Sequence, residues 1–407
     1  MKSKTKVSML MLLFLSLTIN GVGCGSKPAV RDISDSLLDN ITYFSVQSGG
    51  QVLSSSSKNE IYSPLGLYSV LNMMTVLTDE DSDSYLELSE ALQTDKAGIE
   101  DNFKVLTKDI TDSLKKSKVT NSLWFDNKDD VYNKSYLEDE TKKLGASLKE
   151  IDFALEGPSK FAGFIKDATS GLINPNPSDF EWMRTQNFAL LNTLYYDGQW
   201  EKEFDGNRFV EFIDDQGQTL SYKSIRKEEQ VYAYKDNRIS SIRMNYKDGA
   251  YMIMFKPEIV PGGFKVESLN DILSDYDYLG RIIKHYQDEE SLSFREIKIE
   301  IPKFKTTSKF SLNEHIKDDL NIPSIYNFGK DFSPMLNEGN DFMMTTVEQM
   351  SYIEVDEKGT KVASATFSFG CGGMAPEPNF FTVDRPTGYI IMSETDIPLF
   401  MGTIRSV

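Results

Sequence analysis

Hydrophobic positions along this chain fall into three regimes. Val7 to Ile19 (VSMLMLLFLSLTI) is a continuous apolar run, preceded by Lys2, Lys4 and Lys6 and closed by the small residues GVGC. In the first half of the remainder, apolar residues recur mostly at helical spacing. In the second half they come in short runs and alternations that suit strands.

The element forecast follows that division. LYSVLNMMTVL is apolar all round and follows Ser63-Pro64, a cap and a first-turn proline, so it predicts a helix inside a large core. SDSYLELSEALQT predicts a second helix, with an acidic first turn. SYLEDETKKLGAS predicts an amphipathic one ending near Gly145, and FAGFIKDATSGLI one with a glycine stop. VTNSLWFDN, centred on Leu123, Trp124 and Phe125, and SLKEIDF predict strands. NFALLNTLYYDGQW reads as a strand buried on both faces. IRMNYKDGAYMIMFKPE reads as a hairpin turning at Lys247-Asp248-Gly249, and REIKIEIPKFKTTSKF as a strand alternating at Ile297, Ile299 and Ile301. FTVDRPTGYIIMSE and PLFMGTI close the chain as strands, while SLNEHIKDDL around His315 reads as a polar helix. Helices first and strands later predict an α+β fold with more than one sheet.

The first apolar run is too short for a permanent membrane span. With its basic flank it reads as a signal peptide over residues 1–23. GVGC resembles the lipobox of bacterial lipoproteins, which places the cut before Cys24 and a lipid on its thiol; Gly21 departs from the leucine usual there. Ordinary secretion is the alternative. Residues 24–32 then form a tether, and 33–407 read as one large domain without linker or repeat.

The formal net charge of −18 disfavours nucleic acid, since no basic stripe offsets the repulsion. Two cysteines and two histidines exclude more. With Cys24 lipidated, Cys371 has no partner for a structural disulfide. His285 and His315 lack zinc spacing, and no G-x-S-x-G elbow accompanies them. Neither an enzyme, a metal nor a cofactor is expected.

Six blocks, in order, resemble the serpin family: IYSPLGLYSVLNMM, NFALLNTLYYDGQWEKEF, EIPKFK, VDEKGTKVASAT, FTVDRPTGYIIM and PLFMGTI. The resemblance runs from about Ile33 to Val407. It implies about nine helices, three β-sheets and an exposed C-terminal reactive loop, here about residues 357–380. Typical members are suicide inhibitors of serine, and sometimes cysteine, proteases. The protease cuts the loop, and the loop enters the main sheet as a new strand before the acyl-enzyme hydrolyses.

The residues of this loop meet the physical demands of such a strand. An inserting strand needs β-compatible residues and no proline, and there is none from Gly359 to Phe369. The resemblance makes Glu357 and Gly359 part of the hinge. Thr360, Val362, Ser364 and Thr366 would then face the core, all small or β-branched and uncharged, with Lys361, Ala363 and Ala365 on the other face. A charge at 360 or 362 would be buried at a cost of several kcal/mol. Counting along the loop puts the scissile bond at Gly373–Met374 or Met374–Ala375. Met374 suits elastase-, chymotrypsin- or subtilisin-like pockets, and no nearby Arg or Lys suits a trypsin-like one. Gly370, Gly372 and Gly373 suggest broad specificity. Cys371 is either a redox-sensitive thiol or an uncharged loop residue.

The resemblance also assigns control of sheet opening to Ser63, Asn192, Trp200 and Gln349. Gly66 stands where serine is common, Gln349 where histidine is common and Thr387 where phenylalanine is common. Gln349 is expected to hydrogen-bond Asn192. The expected protein is a monomer outside the cytoplasm, lipid-anchored to a bacterial cell surface, that captures serine proteases in a covalent acyl-enzyme complex. A non-inhibitory serpin acting as a surface binding protein, and a proteolytic decoy, are the alternatives.

Overall fold

The computed structural model describes residues 33–113, 118–128, 130–259, 267–288, 292–360 and 379–407, all within one compact unit, Arg31–Val407. The chain opens with α1 (Asp35–Ser54), capped by Ser34, whose Oγ accepts the Leu37 N–H. After β1 (Glu60–Tyr62) comes α2 (Pro64–Leu77). Ser63 Oγ accepts the Gly66 N–H at 3.1 Å and Pro64 fills the first turn. Every residue of α2 is buried, as its all-round apolar pattern requires. α3 (Asp83–Leu92), α4 (Lys96–Ser113), β2 (Lys118–Asp126), α5 (Lys134–Lys143), β3 (Ser147–Ile151) and α6 (Phe153–Ala168) follow. A 3-10 segment, Pro177–Thr185, leads into the strands β4 (Phe188–Tyr195) and β5 (Gly198–Gln199).

The rest is mostly sheet: β6 (Gly206–Ile213), β7 (Thr219–Lys235), β8 (Ile239–Asn245) and β9 (Tyr251–Pro257). Two helices interrupt it, α7 (Leu269–Ser274) and α8 (Tyr276–Gln287). β10 (Phe294–Pro302), β11 (Phe304–Ser311), β12 (Glu348–Val355), β13 (Gly359–Thr360), β14 (Asn379–Thr382), β15 (Thr387–Met392) and β16 (Pro398–Ile404) complete the chain. The α+β reading holds. A nine-stranded sheet runs β1-β16-β15-β9-β8-β7-β10-β14, with β6 on β7. A three-stranded sheet, β3-β2-β4, and the pair β11-β12 stand apart from it, and β13 joins β5.

Four expectations need correction. FTVDRPTGYIIMSE is two strands, because Pro386 lacks an N–H and Asp384 is drawn onto Lys256 Nζ at 2.9 Å. REIKIEIPKFKTTSKF also divides, at Lys303, into β10 and β11 of different sheets. β4 is not buried on both faces: only Phe188 and Thr193 are buried, since one edge opens on a cleft. SLNEHIKDDL forms a five-residue π-helical turn, His315–Asp319, with His315 and Ile316 buried.

That turn seats a buried polar relay. His315 Nδ1 lies 2.9 Å from Asp319 Oδ2 and Nε2 lies 3.0 Å from Ser48 Oγ, which in turn contacts the Tyr62 hydroxyl. With His315 neutral every proton has an acceptor: Tyr62 to Ser48, Ser48 to Nε2, Nδ1–H to Asp319. Protonation makes Nε2 a donor and reverses the chain. Burial holds the His315 pKa below its ordinary value, with Asp319 opposing. The folded state therefore binds this proton more weakly than the unfolded chain does. The stabilisation is present above the unfolded value of about 6.5 and is lost as pH falls through the lower folded value. Urea midpoints of the wild type should accordingly drop more between pH 7.5 and 5.5 than those of His315→Gln.

Candidate functional site

The site is built where β12 ends. Residues 356–359 turn the chain back: the Asp356 N–H donates to Gly359 O at 3.0 Å. Asp356 Oδ1 accepts from the Lys358 and Gly359 amides at 2.8 and 3.2 Å. β13 then pairs antiparallel with β5, Gly359 opposite Gln199 and Thr360 opposite Gly198. The Trp200 N–H donates to Lys358 O, and the Phe204 N–H to Glu357 O. A Cβ on Gly359 would sit 2.3 Å from Gly198 O and 2.7 Å from Gln199 Cα, so only glycine permits this approach. Thr360 is buried, its hydroxyl 2.9 Å from that of Tyr246. The Glu357 carboxylate forms an ion pair with Lys303. Burial alone would raise the Glu357 pKa, but Lys303, its own backbone amide and Lys358 together hold the group lowered.

Trp200 is the pillar under this hinge. Fully buried, it stacks on Tyr246 (4.4 Å, 11°), and its Nε1–H donates to Asp356 O at 3.1 Å. Lys227, also buried, sits 5.3 Å from the Trp200 ring and 4.8 Å from that of Phe204. Its ammonium donates to Lys202 O at 2.9 Å and meets Glu229 at 2.6 Å. Burial pulls its pKa below that of an ordinary lysine, and Glu229 opposes.

Below the hinge the two half-sheets are not joined. β4 has β2 on one side and β12 has β11 on one side; the two pair with each other nowhere among the described residues. Two cavities lie along this seam. The lower, about 900 Å3 with its open mouth included, runs from Phe342–Thr346 to β4 and is walled by Phe161 and Ile165 of α6. The upper, about 470 Å3 with its open mouth included, lies between Leu194, Tyr196, Ile353 and Thr360. Thr360 thus stands at the top of a slot between two strands.

At mid-height, Gln349 Oε1 accepts the Ser63 N–H and Nε2 donates to Ser63 O, both at 2.8 Å. Ser63 Oγ donates to Leu399 O at 2.9 Å. The expected Gln349–Asn192 bond is replaced: Asn192 Nδ2 donates to Asn121 Oδ1 at 2.7 Å, within its own half-sheet. A Cβ on Gly66 would lie 3.0 Å from Asn192 Oδ1 and 3.1 Å from Gln349 Nε2, so the glycine leaves open the space where these side chains converge.

The structure therefore gathers Ser63, Gln349 and Asn192 at the waist of the seam, and Glu357, Gly359, Thr360 and Trp200 at its top. Val362, Ala363, Ser364, Ala365 and Thr366, the bond at Gly373, Met374 and Ala375, and Cys24 lie outside the described residues. Sequence reasoning missed Tyr246, Lys227 and Asn121. Tyr246 carried a weak signal, beside the Lys247-Asp248-Gly249 turn; the other two carried none. Among the described residues no cluster of His, Cys, Asp and Glu is placed to hold a metal ion.

Residues 39–407 match the family model described as serpin (serine protease inhibitor). Leukocyte elastase inhibitor A of Mus musculus is 23% identical over 370 residues, covering 87% of this chain and 94% of that protein. A serine protease inhibitor of Cyanea capillata is 24% identical, covering 87% and 93%. Among solved structures, the thermophilic serpin tengpin in its native state superposes with a TM-score of 0.78 at 20% identity, covering 94% of this chain and 97% of that one. Native protease nexin-1 with heparin gives 0.76 at 20% identity, covering 91% and 99%.

Two substitutions test the hinge. Trp200→Ala should destabilise the protein by about 3–5 kcal/mol in urea unfolding, as for other buried aromatic truncations. Gly359→Ala should displace β13 from β5, seen as lost hydrogen-exchange protection of the Trp200 amide while α2 amides keep theirs.

Proposed function

Since this chain belongs to the serpin family, whose activity is protease inhibition, we propose that it acts by suicide, inserting its cleaved reactive loop between β4 and β12. The serine Oγ of the protease attacks the carbonyl of Gly373 or Met374. The peptide bond breaks, the amine of Met374 or Ala375 leaves with a proton, and the protease is held as an ester. Insertion drags that ester away before water hydrolyses it. The strand would extend on the order of 45 Å over some 14 residues.

The observation that carries this reading is the open seam with Thr360 already seated at its top. Strand edges facing a gap leave backbone donors and acceptors without sheet partners. A strand laid between β4 and β12 would satisfy both edges at once, each bond contributing about 0.5–1.5 kcal/mol net. The uninserted state is then a kinetic trap that cleavage releases.

For the target, the uncharged Met374 and the resemblance to a leukocyte elastase inhibitor favour elastase-, chymotrypsin- and subtilisin-like proteases over trypsin-like ones. We further propose a non-enzymatic monomer outside the cytoplasm, held on a bacterial cell surface by a lipid on Cys24, with the lipobox-like GVGC as support.

Mixed with elastase or subtilisin, the protein should give a denaturant-resistant band at the summed mass. Cleavage without that band would make it a decoy, and no cleavage would make it a binding protein. Thr360→Arg, which puts a charge where the threonine is buried, should raise the number of inhibitor molecules consumed per protease at least about tenfold, since the buried charge slows insertion. Cys24→Ala should release the protein into the medium; retention on the membrane fraction would overturn the anchor.

A further inference from the structure

The lower cavity of the seam is walled largely by aromatic and aliphatic side chains beneath α6. Its walls include Phe161 and Ile165 of α6, Phe180 and Trp182 of the 3-10 segment, and Ala189 and Leu191 of β4. Two buried polar atoms at its wall, Trp182 Nε1 and Thr193 Oγ1, have no hydrogen-bond partner among the described residues.

The pairing at the top of the slot fixes which loop residues would reach this cavity. Thr360 lies opposite Gly198 of β5 in an antiparallel ladder; carried on without a bulge past Tyr196 and Asp197, each further step along the loop would be one step back along β4. Residue 367 then falls opposite Leu191, and 369 opposite Ala189. The turn gives the same answer from the other strand. The Asp356-to-Gly359 bond sets the register with β12 and its approach, placing 367 beside Glu348 and 369 beside Thr346. All four neighbours line the cavity.

The faces agree as well. Ala189 and Leu191 pack on the cluster beneath α6, whereas Leu190 and Leu194 pack on the main core. Cross-strand neighbours share a face. In the inserted strand positions 367 and 369 would therefore look toward α6, and both are phenylalanine; 363 and 365, which would share that face, are alanine.

We infer that Phe367 and Phe369 are the anchors of the inserted strand, docking in the cavity beneath α6 between Phe161, Phe180 and Trp182. This rests on the insertion reading above. Each ring carries some 150–250 Å2 into the site, and an aromatic face offers the Trp182 N–H a weak acceptor. On the opposite face Thr366 would pass between Asn192 and Gln349, where the Gly66 gap leaves room for it.

The test compares wild type with Phe367→Ala/Phe369→Ala, intact and after a single cut within residues 370–378 verified by mass. The melting temperature of the wild type should rise on cleavage. The cleaved double variant should melt about 5–10 °C below cleaved wild type, with the intact forms equal. Trp182→Phe should remove a cleavage-linked change in tryptophan emission that the double variant also lacks. No rise in the wild type overturns the insertion reading itself. A rise that is equal in both proteins overturns only the anchoring. An intact variant that melts lower places the rings elsewhere before cleavage and also overturns it. Cleaved protein eluting as a dimer or larger would assign the cavity to a second copy's strand, with the same result.

Discussion

Backbone hydrogen bonding decides this architecture at one place, the seam between β4 and β12. Elsewhere neighbouring strands are joined by ladders: β7 is paired with β6, β8 and β10. At the seam, two strands that share a core and an overlying helix stand side by side without a ladder. A protein normally covers or pairs such edges. Here the covering is α6 and the 3-10 segment, whose aromatic residues close one face of the slot while leaving its interior unfilled.

The hinge holds that arrangement together at the top. Trp200 is the point where the nine-stranded sheet, β4 and the end of β12 meet, through Tyr246, its own chain and Asp356. Burying Lys227 beside it is costly, and the cost is offset by a carboxylate, a carbonyl and two aromatic faces. The waist is secured differently. Gln349 grips the backbone of Ser63 and Asn192 grips Asn121, so each half-sheet is tied to its own surroundings rather than to the other half. Among the described residues no side-chain bond of Gln349 or Asn192 joins the two halves at that waist.

Much of the fold was legible because patterning and capping pointed the same way. Ser63-Pro64 with a fully apolar run could be little but a buried helix, and Gly145 and Gly171 end elements at positive φ. What was not legible depended on partners distant in sequence. α1 buries Ser45, Ser48 and Gly49 among its apolar residues, which blurs its stripe. The hinge glycine could be named from its motif, yet the reason only glycine fits there, a carbonyl of β5 in the way, required the fold. The partner of Gln349 was misread for the same cause: an amide can turn to a backbone as readily as to another amide, and only the placement of α2 decides which is nearer.

The turn at residues 356–359 bears on how fast the proposed insertion could proceed. Starting a new strand is ordinarily the slow part of sheet growth, because dihedrals are fixed before enough bonds form to compensate. Under the proposed insertion, that nucleus would exist before any bond is cut: the Asp356 N–H already donates to Gly359 O, and Gly359 and Thr360 are already paired with β5. What would remain under that proposal is propagation, one residue at a time, like a zip whose slider is already engaged. Its pace would then be governed by how readily α6 yields, rather than by the search for a beginning.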